Sequence, residues 1–169
     1  MVEGQKILID ICEELNVPRY LASDYTADYT KLDGGDIILK DPMKDVRTYL
    51  STRLKVKGIH VLVGLLMEVF WTYFGVWDPE HRKLRYWGTG NEVWDLTTYN
   101  TAAEYVAAVI LDAKAVGIKR FAGHQVTINR MAEDINVVLG VEPEVECAGS
   151  VDEVQQRISL EGGRQNPVA

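Results

Sequence analysis

The sequence predicts an α/β fold, in which a partial doubly wound parallel sheet is followed by a small α+β region. Helical and strand patterns alternate along the first part of the chain, which is the order that builds such a sheet with right-handed crossovers. Residues 59–63 read Ile-His-Val-Leu-Val, a β-branched run typical of a parallel strand that is covered on both faces. The length of 169 residues predicts a single domain over residues 1–160, and we expect a flexible tail over residues 161–169.

Helical spacing identifies the elements around this strand. In residues 5–15, Ile7, Ile11 and Leu15 lie four apart with Leu8 and Cys12 beside them, so we expect an amphipathic helix with this face buried. Asp41-Pro42 is typical of a helix start with a capping residue before a proline. The next apolar stripe predicts that the second helix continues to Gly58; its members are Met43, Val46, Leu50 and Leu54.

Later helices are indicated by their terminal residues. Thr101 and Glu104 form a capping-box pattern that predicts a helix to about residue 112, and Ser150 and Glu153 repeat it for a last helix. Thr127 and Gly140 are expected to cap another helix at its two ends. The residues of that helix expected to face inward are Ile128, Met131, Ile135 and Val138.

Short apolar segments supply the remaining strands. We expect strands at residues 20–22 and 118–122 and an edge strand at 144–147. Residues 83–87 and 92–96 flank Gly-Thr-Gly-Asn, which predicts a hairpin.

Composition excludes several classes of function. The formal net charge is −7 and the basic residues are dispersed, so a phosphate-tracking nucleic-acid surface is not expected. The most apolar run, residues 59–74, contains His60, Gly64 and Glu68 and is too short to span a membrane. Without a secretory leader pattern we expect a cytoplasmic location, where Cys12 and Cys147 would be buried thiols rather than a disulfide.

The Ser23-Asp24-Tyr25 corner is the first candidate site. It follows the strand at residues 20–22, and open α/β sheets bind ligands beyond the carboxyl ends of their strands. The Tyr25 and Tyr29 hydroxyls with Lys40 or Lys44 could form a proton-relay set beside Ser23; the alternative is that they are loop and helix-surface residues. The loop of residues 24–40, rich in carboxylates and glycine, is expected to be mobile and exposed, as either a solvated face or a source of an acid/base group.

The aromatic segment after the long strand is a second candidate, as a substrate pocket or as ordinary core. Its members are Phe70, Trp71, Tyr73, Phe74 and Trp77. The chain contains no Gly-x-Gly-x-x-Gly, and Gly88-Thr-Gly90 precedes no helix pattern, so a dinucleotide fingerprint is not expected within it. The three histidines lack paired metal spacing, so no metal site is predicted, and His60 is interpreted as a hydrogen-bonded strand residue.

Several stretches, taken in order, resemble the NmrA-like, isoflavone-reductase-like branch of the short-chain dehydrogenases. Gln-Lys-Ile-Leu-Ile-Asp at residues 5–10 and Asn-Val-Pro-Arg-Tyr-Leu-Ala-Ser-Asp-Tyr at 16–25 are similar to a helix and a strand that ends in Pro-Ser-Asp/Glu-Phe. Residues 58–64 with Met67 resemble the next strand and the start of the substrate region. Later elements of the family are matched by residues 88–91, 95–98, 104–109, 121–123 and 149–153.

The resemblance implies a Rossmann-like fold and a reductase that uses NADP(H) on a small apolar or aromatic metabolite. It places Ser23 and Asp24 near the cofactor, Tyr25 or Lys44 as the proton donor, and Met67, Trp71 and Tyr73 along the substrate pocket. Two departures stand out: Ala22-Ser23 replaces the Pro-Ser entry, and an ungapped alignment on Val46-Arg47 puts Met43 where the family has its catalytic lysine, with Lys44 one residue away.

The family's glycine-rich nucleotide loop and first four strands would precede Met1, so the chain resembles a truncated, carboxyl-terminal portion. We therefore expect it to be incomplete for cofactor binding. An uncovered sheet edge at residues 20–22 would result, and we expect a homodimer or contact with a further polypeptide segment there. Two other functions stay open: a non-catalytic NADP-sensing regulator and a cofactor-independent isomerase or cyclase.

Overall fold

The computed structural model describes residues 2–160; the predicted tail at 161–169 lies outside them. These described residues form two compact units: one runs to Gly64 and resumes over Asn100–Gly123, and the other contains Leu65–Tyr99 and the described residues that follow Gly123. The α/β class with a parallel sheet is confirmed, because the first unit contains a three-stranded, all-parallel sheet.

In the first unit the sheet order is β1-β2-β7. β1 is Arg19–Leu21, β2 is Lys57–Leu62 and β7 is Gly117–Arg120. The helices α1 (Val2–Glu14), α2 (Asp41–Ser51) and α4 (Tyr99–Leu111) alternate with these strands. β2 is therefore the central strand, and its residues from Ile59 onward are buried, as its apolar run predicts.

The buried face of α1 differs from the prediction. Ile9 is fully buried in a cluster with Ala22, Val46, Leu50 and Val56, and Val2 and Cys12 pack against this cluster. The predicted face is wrong, because Ile7, Leu8, Ile11 and Leu15 are exposed. α1 carries apolar residues on two sides, so spacing alone did not identify the side that meets the sheet.

α2 also departs from its prediction. It ends at Ser51 instead of near Gly58, which lies in β2, and Leu54 is exposed. The Glu13 carboxylate accepts hydrogen bonds from the backbone N–H groups of Leu54, Lys55 and Val56 at 2.9–3.1 Å, which satisfies these groups outside a helix. Asp41 is the first helical residue, not the cap, and its carboxylate accepts from the Gly35 N–H.

The second unit contains two three-stranded sheets, ordered β3-β6-β8 and β4-β5-β9. The strands are β3 (Leu65–Leu66), β4 (Trp77–Asp78), β5 (Lys83–Tyr86), β6 (Trp94–Thr97), β8 (His124–Val126) and β9 (Glu144–Cys147), and the helices are α3 (Met67–Tyr73), α5 (Ile128–Leu139) and α6 (Val151–Leu160). Its core is built from Phe70, Val76, Leu84, Leu96, Val126, Ile128 and Met131. β9 lies at the end of its sheet order, as predicted for residues 144–147.

The hairpin predicted around residues 88–91 is wrong. β5 pairs with β4 and β9, whereas β6 pairs with β3 and β8. The Glu92 carboxylate accepts from the Thr89 and Gly90 backbone N–H groups and from the Thr89 hydroxyl, each at 2.9 Å. These hydrogen bonds hold the loop between β5 and β6 closed, and the two strands belong to different sheets.

Three of the predicted helix caps are confirmed, two on α5 and one on α6. The Thr127 hydroxyl accepts from the Arg130 N–H, and Gly140 ends α5 in the left-handed conformation, with φ of 65°. The Ser150 and Glu153 side chains each accept from the other residue's backbone N–H. Two other predictions are wrong. Val138 was expected to face inward but is exposed. Thr101 was expected to cap α4, but the helix begins at Tyr99, whose N–H donates to the Glu68 carboxylate, so Thr101 lies inside it.

The two cysteines differ in their exposure to solvent. Cys12 is half-buried, but Cys147 is exposed, so the prediction of two buried thiols is wrong for Cys147. Among residues 2–160, no helix has both the length and the apolar character to cross a membrane.

Candidate functional site

The candidate site lies where β1 and β2 end in the first unit. After β1, the chain stays beside β2: the Ala22 and Tyr25 N–H groups donate to the Ile59 and Val61 carbonyls, and Val63 N–H donates to Thr26. Tyr25 takes a positive φ of 40° to follow this path, an uncommon conformation for a bulky residue. The path turns alternate side chains toward the interior, so Asp24 and Thr26 are buried while Ser23 is exposed.

Asp24, Tyr29 and His60 form a buried hydrogen-bonded network. His60 Nδ1 lies 2.7 Å from Asp24 Oδ2, and the Tyr29 hydroxyl donates to the same oxygen at 3.1 Å. The exposed fractions of the three residues are 5% for Asp24, 4% for His60 and 1% for Tyr29. The expected exposure of the loop at residues 24–40 is therefore wrong for Asp24, Thr26 and Tyr29, whereas residues 33–39 are exposed.

One polar atom of the network, Asp24 Oδ1, has no hydrogen-bond partner among the described residues, and a glycine lies close to the His60 ring. Asp24 Oδ1 is buried and accepts no hydrogen bond within the described part of the chain. A Cβ at Gly58 would lie 3.0 Å from His60 Nε2 and 3.1 Å from a Leu50 methyl. Glycine at this position of β2 therefore leaves the space that the imidazole occupies.

Burial controls the protonation of the tyrosines at the site. Burial, and then the adjacent Asp24 carboxylate, raise the pKa of Tyr29 well above its ordinary value. The same two causes, in the same order, raise the pKa of Tyr25. Both hydroxyls therefore remain protonated at neutral pH and can donate hydrogen bonds.

The two candidate lysines occupy different environments. Lys40 is half-buried and donates to the Thr26 hydroxyl, and burial lowers the pKa of its ammonium group. Lys44 donates to the Asp33 carbonyl and pairs with the Asp41 carboxylate at 3.3 Å. The structure thus brings Lys40 to the segment that carries Asp24 and Tyr25, and turns Lys44 toward the exposed loop.

Ser23 and Tyr25 are more accessible to solvent than Asp24 is. Ser23 is exposed, and its backbone N–H donates to Gln5 Oε1 at 2.9 Å. The Tyr25 side chain is half-buried. The Asp24 carboxylate is directed into the interior. An effect of Asp24 on a cofactor would therefore be indirect, through Tyr29 and His60. These roles, and that of Lys44, stay predictions.

Met67, Trp71 and Tyr73, the predicted pocket residues, belong to α3 in the second unit. Met67 and Trp71 pack against the core of that unit, and the Trp71 ring meets Phe70 edge-on at 5.2 Å between centroids. Tyr73 is exposed and lies edge-on to Phe74 at 5.4 Å. Their role as a substrate pocket stays a prediction.

An ion pair anchors the loop of residues 24–40 to β7. Arg120 Nε lies 2.7 Å from Asp28 Oδ2, and its guanidinium also donates to the Thr30 hydroxyl at 2.9 Å. Burial opposes ionisation of Asp28, but hydrogen bonds from Thr30 and Arg120 prevail and lower its pKa to about 2. The loop that follows Tyr25 is therefore tied to the sheet by a charged side chain.

Sequence reasoning missed the association of His60 with Asp24. The prediction that His60 is a hydrogen-bonded strand residue is confirmed, but its partner lies 36 positions away in the chain. The available signal was that Asp24 follows one predicted strand and His60 lies within the next, since side chains of neighbouring parallel strands can meet on one face of the sheet.

No known family model and no curated protein sequence matches this chain. Solved structures do. A structure of AtPrR2 with NADP+ and (+)pinoresinol matches with a TM-score of 0.80 at 14% identity, over 98% of this chain and 55% of that chain. Leucoanthocyanidin reductase from Vitis vinifera matches with a TM-score of 0.75 at 14% identity, over 99% and 58%.

A nucleoside-diphosphate-sugar epimerase from Staphylococcus aureus matches with a TM-score of 0.67 at 18% identity, over 99% of this chain and 57% of that chain. At such identities the likeness shows the fold: a Rossmann-like α/β fold of the kind found in reductases and epimerases. The chain spans little more than half the length of these structures.

The connection between β1 and α2 does not fit the diphosphate of a dinucleotide. Such sites use a glycine-rich turn from a strand into a helix N-terminus, where backbone N–H groups favour a negative charge. Here the connection from β1 to α2 is long, and α2 begins with the Asp41 carboxylate, which disfavours a phosphate at that helix terminus. The connection between β1 and α2 therefore carries acid/base groups but does not form a phosphate site.

Proposed function

We propose that the chain is the substrate-side portion of an NmrA-like, NADP(H)-dependent reductase that acts on a small apolar or aromatic metabolite. One arrangement carries the proposal: the buried network of Asp24, His60 and Tyr29 lies close in the fold to the half-buried Lys40, beside the segment that follows β1. The Rossmann-like fold supports the same class.

The chain's own part in the reaction is to donate a proton to an oxygen of the substrate. Lys40 is the best-placed donor, because burial lowers its pKa toward the operating range and so makes its proton easier to transfer. The buried network holds the segment from Asp24 to Tyr29 against β2 and so positions Tyr25 and Lys40. Tyr25 and Lys44 remain the donors favoured by the resemblance, and Met67, Trp71 and Tyr73 are the proposed pocket residues.

The test measures NADPH oxidation by the protein purified from its natural source, and by the same protein produced with single substitutions. The substrate panel begins with (+)-pinoresinol and includes simple aromatic ketones. Lys40→Met should lower kcat by about 100-fold or more, the usual contribution of a general acid, and should remove the alkaline limb of the pH profile. Lys31→Ala, an exposed lysine of the same loop, is the matched control and should leave the rate unchanged.

Parallel variants separate the three candidate donors. Tyr25→Phe and Lys44→Ala are measured beside Lys40→Met, and the donor is the residue whose loss affects kcat more than KM. Unchanged rates in all three variants of an active protein would contradict the proposed proton transfer.

A regulatory function is the second candidate, favoured by the position of Lys44, which is engaged by Asp33 and Asp41. Calorimetric titration with NADPH separates the candidates. Binding without turnover of the panel would favour a sensor, and turnover of a metabolite without NADPH binding would favour a cofactor-independent isomerase or cyclase.

A further inference from the structure

Arg47 lies on the flank of α2 that faces away from α1. Val46 is fully buried, which marks the inner side of α2, and the Tyr49 hydroxyl donates to the Asp10 carboxylate of α1. At about 100° per residue, Tyr49 lies about 60° to one side of Val46 and Arg47 about 100° to the other. The Arg47 side chain therefore leaves the helix on the side opposite α1.

The charge of Arg47 reaches the buried network of the candidate site. Burial, and then the Asp24 carboxylate, raise the pKa of Tyr29, whereas the Arg47 guanidinium acts on it in the opposite direction. Charges separated by more than about 10 Å are largely screened in a salt solution, so the guanidinium lies near the Tyr29 hydroxyl. Because Arg47 is exposed and Tyr29 is buried, the guanidinium lies on the solvent side of the network.

Arg47 forms no ion pair with a carboxylate within the described part of the chain. Two neighbouring basic side chains differ in this respect: Lys44 pairs with Asp41 at 3.3 Å, and Arg120 Nε lies 2.7 Å from Asp28 Oδ2. A guanidinium presents five N–H donors in a planar fork and stays charged at any physiological pH. Arg47 therefore offers the site a fork that can bind a planar anion.

Lys40 is a second cation of this flank that lacks a carboxylate partner among the described residues. Its backbone is already helical, with φ of −98° and ψ of −15°, and positions seven residues apart on a helix differ by only about 20° in direction. Its ammonium group donates to the Thr26 hydroxyl, and burial lowers its pKa. Since buried charges are ordinarily paired, both cations favour an anionic ligand.

Met43 supplies an apolar surface between the two cations. It follows Lys40 by three residues and precedes Arg47 by four, which puts the three side chains on one side of the helix. Met43 is half-buried, and thioethers pack favourably against aromatic rings. This flank thus presents an ammonium group, an apolar patch and a guanidinium in series.

We propose that Arg47 binds a carboxylate of the substrate, which makes the metabolite an aromatic acid whose reducible carbonyl lies at Lys40. The inference rests on the proposed function, in which Lys40 donates the proton, and it adds the substrate class. Seven residues of helix span about 10 Å, so the carbonyl and the carboxylate stand at opposite ends of an elongated molecule. Two parallel N–H···O bonds from the arginine fork match the carboxylate.

The formal net charge of the chain makes this selectivity local. At −7, the protein as a whole repels anions, which opposes nonspecific binding of an aromatic acid. Two cations without a carboxylate partner on one helix flank reverse the sign of the field at that flank. The affinity for an acid should therefore depend on Arg47 and should fall as the salt concentration rises.

The test compares calorimetric titrations with two probes, 4-acetylcinnamate and its methyl ester. Both are aromatic ketones, and only the first carries a carboxylate at the far end. The protein purified from its natural source should bind the acid more tightly than the ester by a factor of about 10 or more. Arg47→Met, produced in the same protein, should remove this preference. Arg47→Lys, which keeps the charge without the fork, should retain part of it.

Arg130→Met is the matched control, because it removes a guanidinium that already pairs with Glu133 and Asp134 on α5. It should leave the affinities for both probes unchanged. Three results would overturn the inference: equal affinity of the unsubstituted protein for acid and ester, no binding of either probe, or a preference for the acid that survives Arg47→Met.

Chemical modification checks the contact without any catalytic readout. Phenylglyoxal reacts with accessible guanidinium groups, and mass spectrometry reports the rate at each arginine. At about ten times its Kd, 4-acetylcinnamate should slow the modification of Arg47 about 10-fold and leave that of Arg130 unchanged. Equal rates at Arg47 with and without the acid would overturn the inference.

Failure of this inference and failure of the proposed function give different results. Titration and modification report the carboxylate contact, whereas NADPH oxidation reports catalysis. Arg47-dependent binding of the acid without NADPH oxidation would contradict the reductase proposal alone. Reduction of the ester together with equal affinity for acid and ester would contradict the Arg47 inference alone.

Discussion

His60 Nδ1 and Asp24 Oδ2 lie 2.7 Å apart in the interior of the first unit. The contact joins β2 to the segment that leaves β1, and the Tyr29 hydroxyl completes it from the following loop. A buried polar group that loses its partner costs more than the bond itself contributes. The network should therefore be sensitive to the loss of any single member.

Asp24→Ala should lower the free energy of unfolding by about 3 kcal/mol, since it leaves the Tyr29 hydroxyl and His60 Nδ1 buried without their acceptor. Asp24→Asn keeps one acceptor oxygen and should cost less. Chemical denaturation measures both. Asp33→Ala, in the exposed part of the same loop, should change stability by no more than about 0.5 kcal/mol; equal effects at positions 24 and 33 would show that the network is not stabilising.

Tyr29→Phe should cost about 1 to 2 kcal/mol, because the hydroxyl loses its bond to Asp24 while the ring stays in place. Burial raises the pKa of Tyr29 above its ordinary value of 10.0. The stability associated with this group is therefore present below pH 10 and lost as the pH rises through the folded-state pKa. Above pH 10 the wild-type chain should lose stability more steeply than the variant.

Spectrophotometric titration provides an independent check on Tyr29. Burial raises the pKa of Tyr29, so Tyr29→Phe should leave the absorbance change near pH 10 unaltered and should remove a change at higher pH. A loss of amplitude near pH 10 in this variant would contradict the burial of the Tyr29 hydroxyl.

The Asp28–Arg120 pair should make stability depend on acidity. Hydrogen bonds from Thr30 and Arg120 overcome the effect of burial and lower the pKa of Asp28 from 3.8 to about 2, so its contribution is present above pH 3.8 and lost as the pH falls through about 2. Asp28→Asn should cost no more than about 1 kcal/mol at pH 7, since Arg120 is half-exposed. Denaturation at pH 7, 4 and 3 should show the difference shrinking.

Arg120→Gln and the double variant complete this test as a cycle. A coupling between the two sites that persists undiminished at pH 3 would contradict ionic pairing as its source.

The sequence predicted this fold where a local pattern had one structural solution. The β-branched run at residues 59–63 could be only a buried strand, and the Ser150 and Glu153 side chains satisfy their own helix terminus without help from elsewhere. α1 was ambiguous, because Ile9 and Ile11 lie on different sides of one helix and either side could meet the sheet. Residue spacing carries no information about which of two apolar sides has a neighbour.

The candidate site was predictable in position but not in contacts. Asp24 and Tyr25 follow a strand end, which localised the corner. The Asp24–His60 bond instead depends on the register of β1 against β2, and the choice between Lys40 and Lys44 depends on how the exposed loop folds before α2. Both are long-range properties of packing, which no short motif specifies.

Thr127 caps α5 in the second unit, and the first turn of this helix contacts the loop of residues 88–92 that Glu92 holds closed. The Asn129 N–H donates to the Gly90 carbonyl at 3.1 Å, and its side chain donates to Asn91 at 2.8 Å. Thr127→Ala should lower the free energy of unfolding by about 1 kcal/mol and speed exchange of the Asn129 and Arg130 amides. Thr127→Ser, which retains the acceptor oxygen, should restore both properties; equal behaviour of the alanine and serine variants would show that the hydroxyl does not hold this junction together.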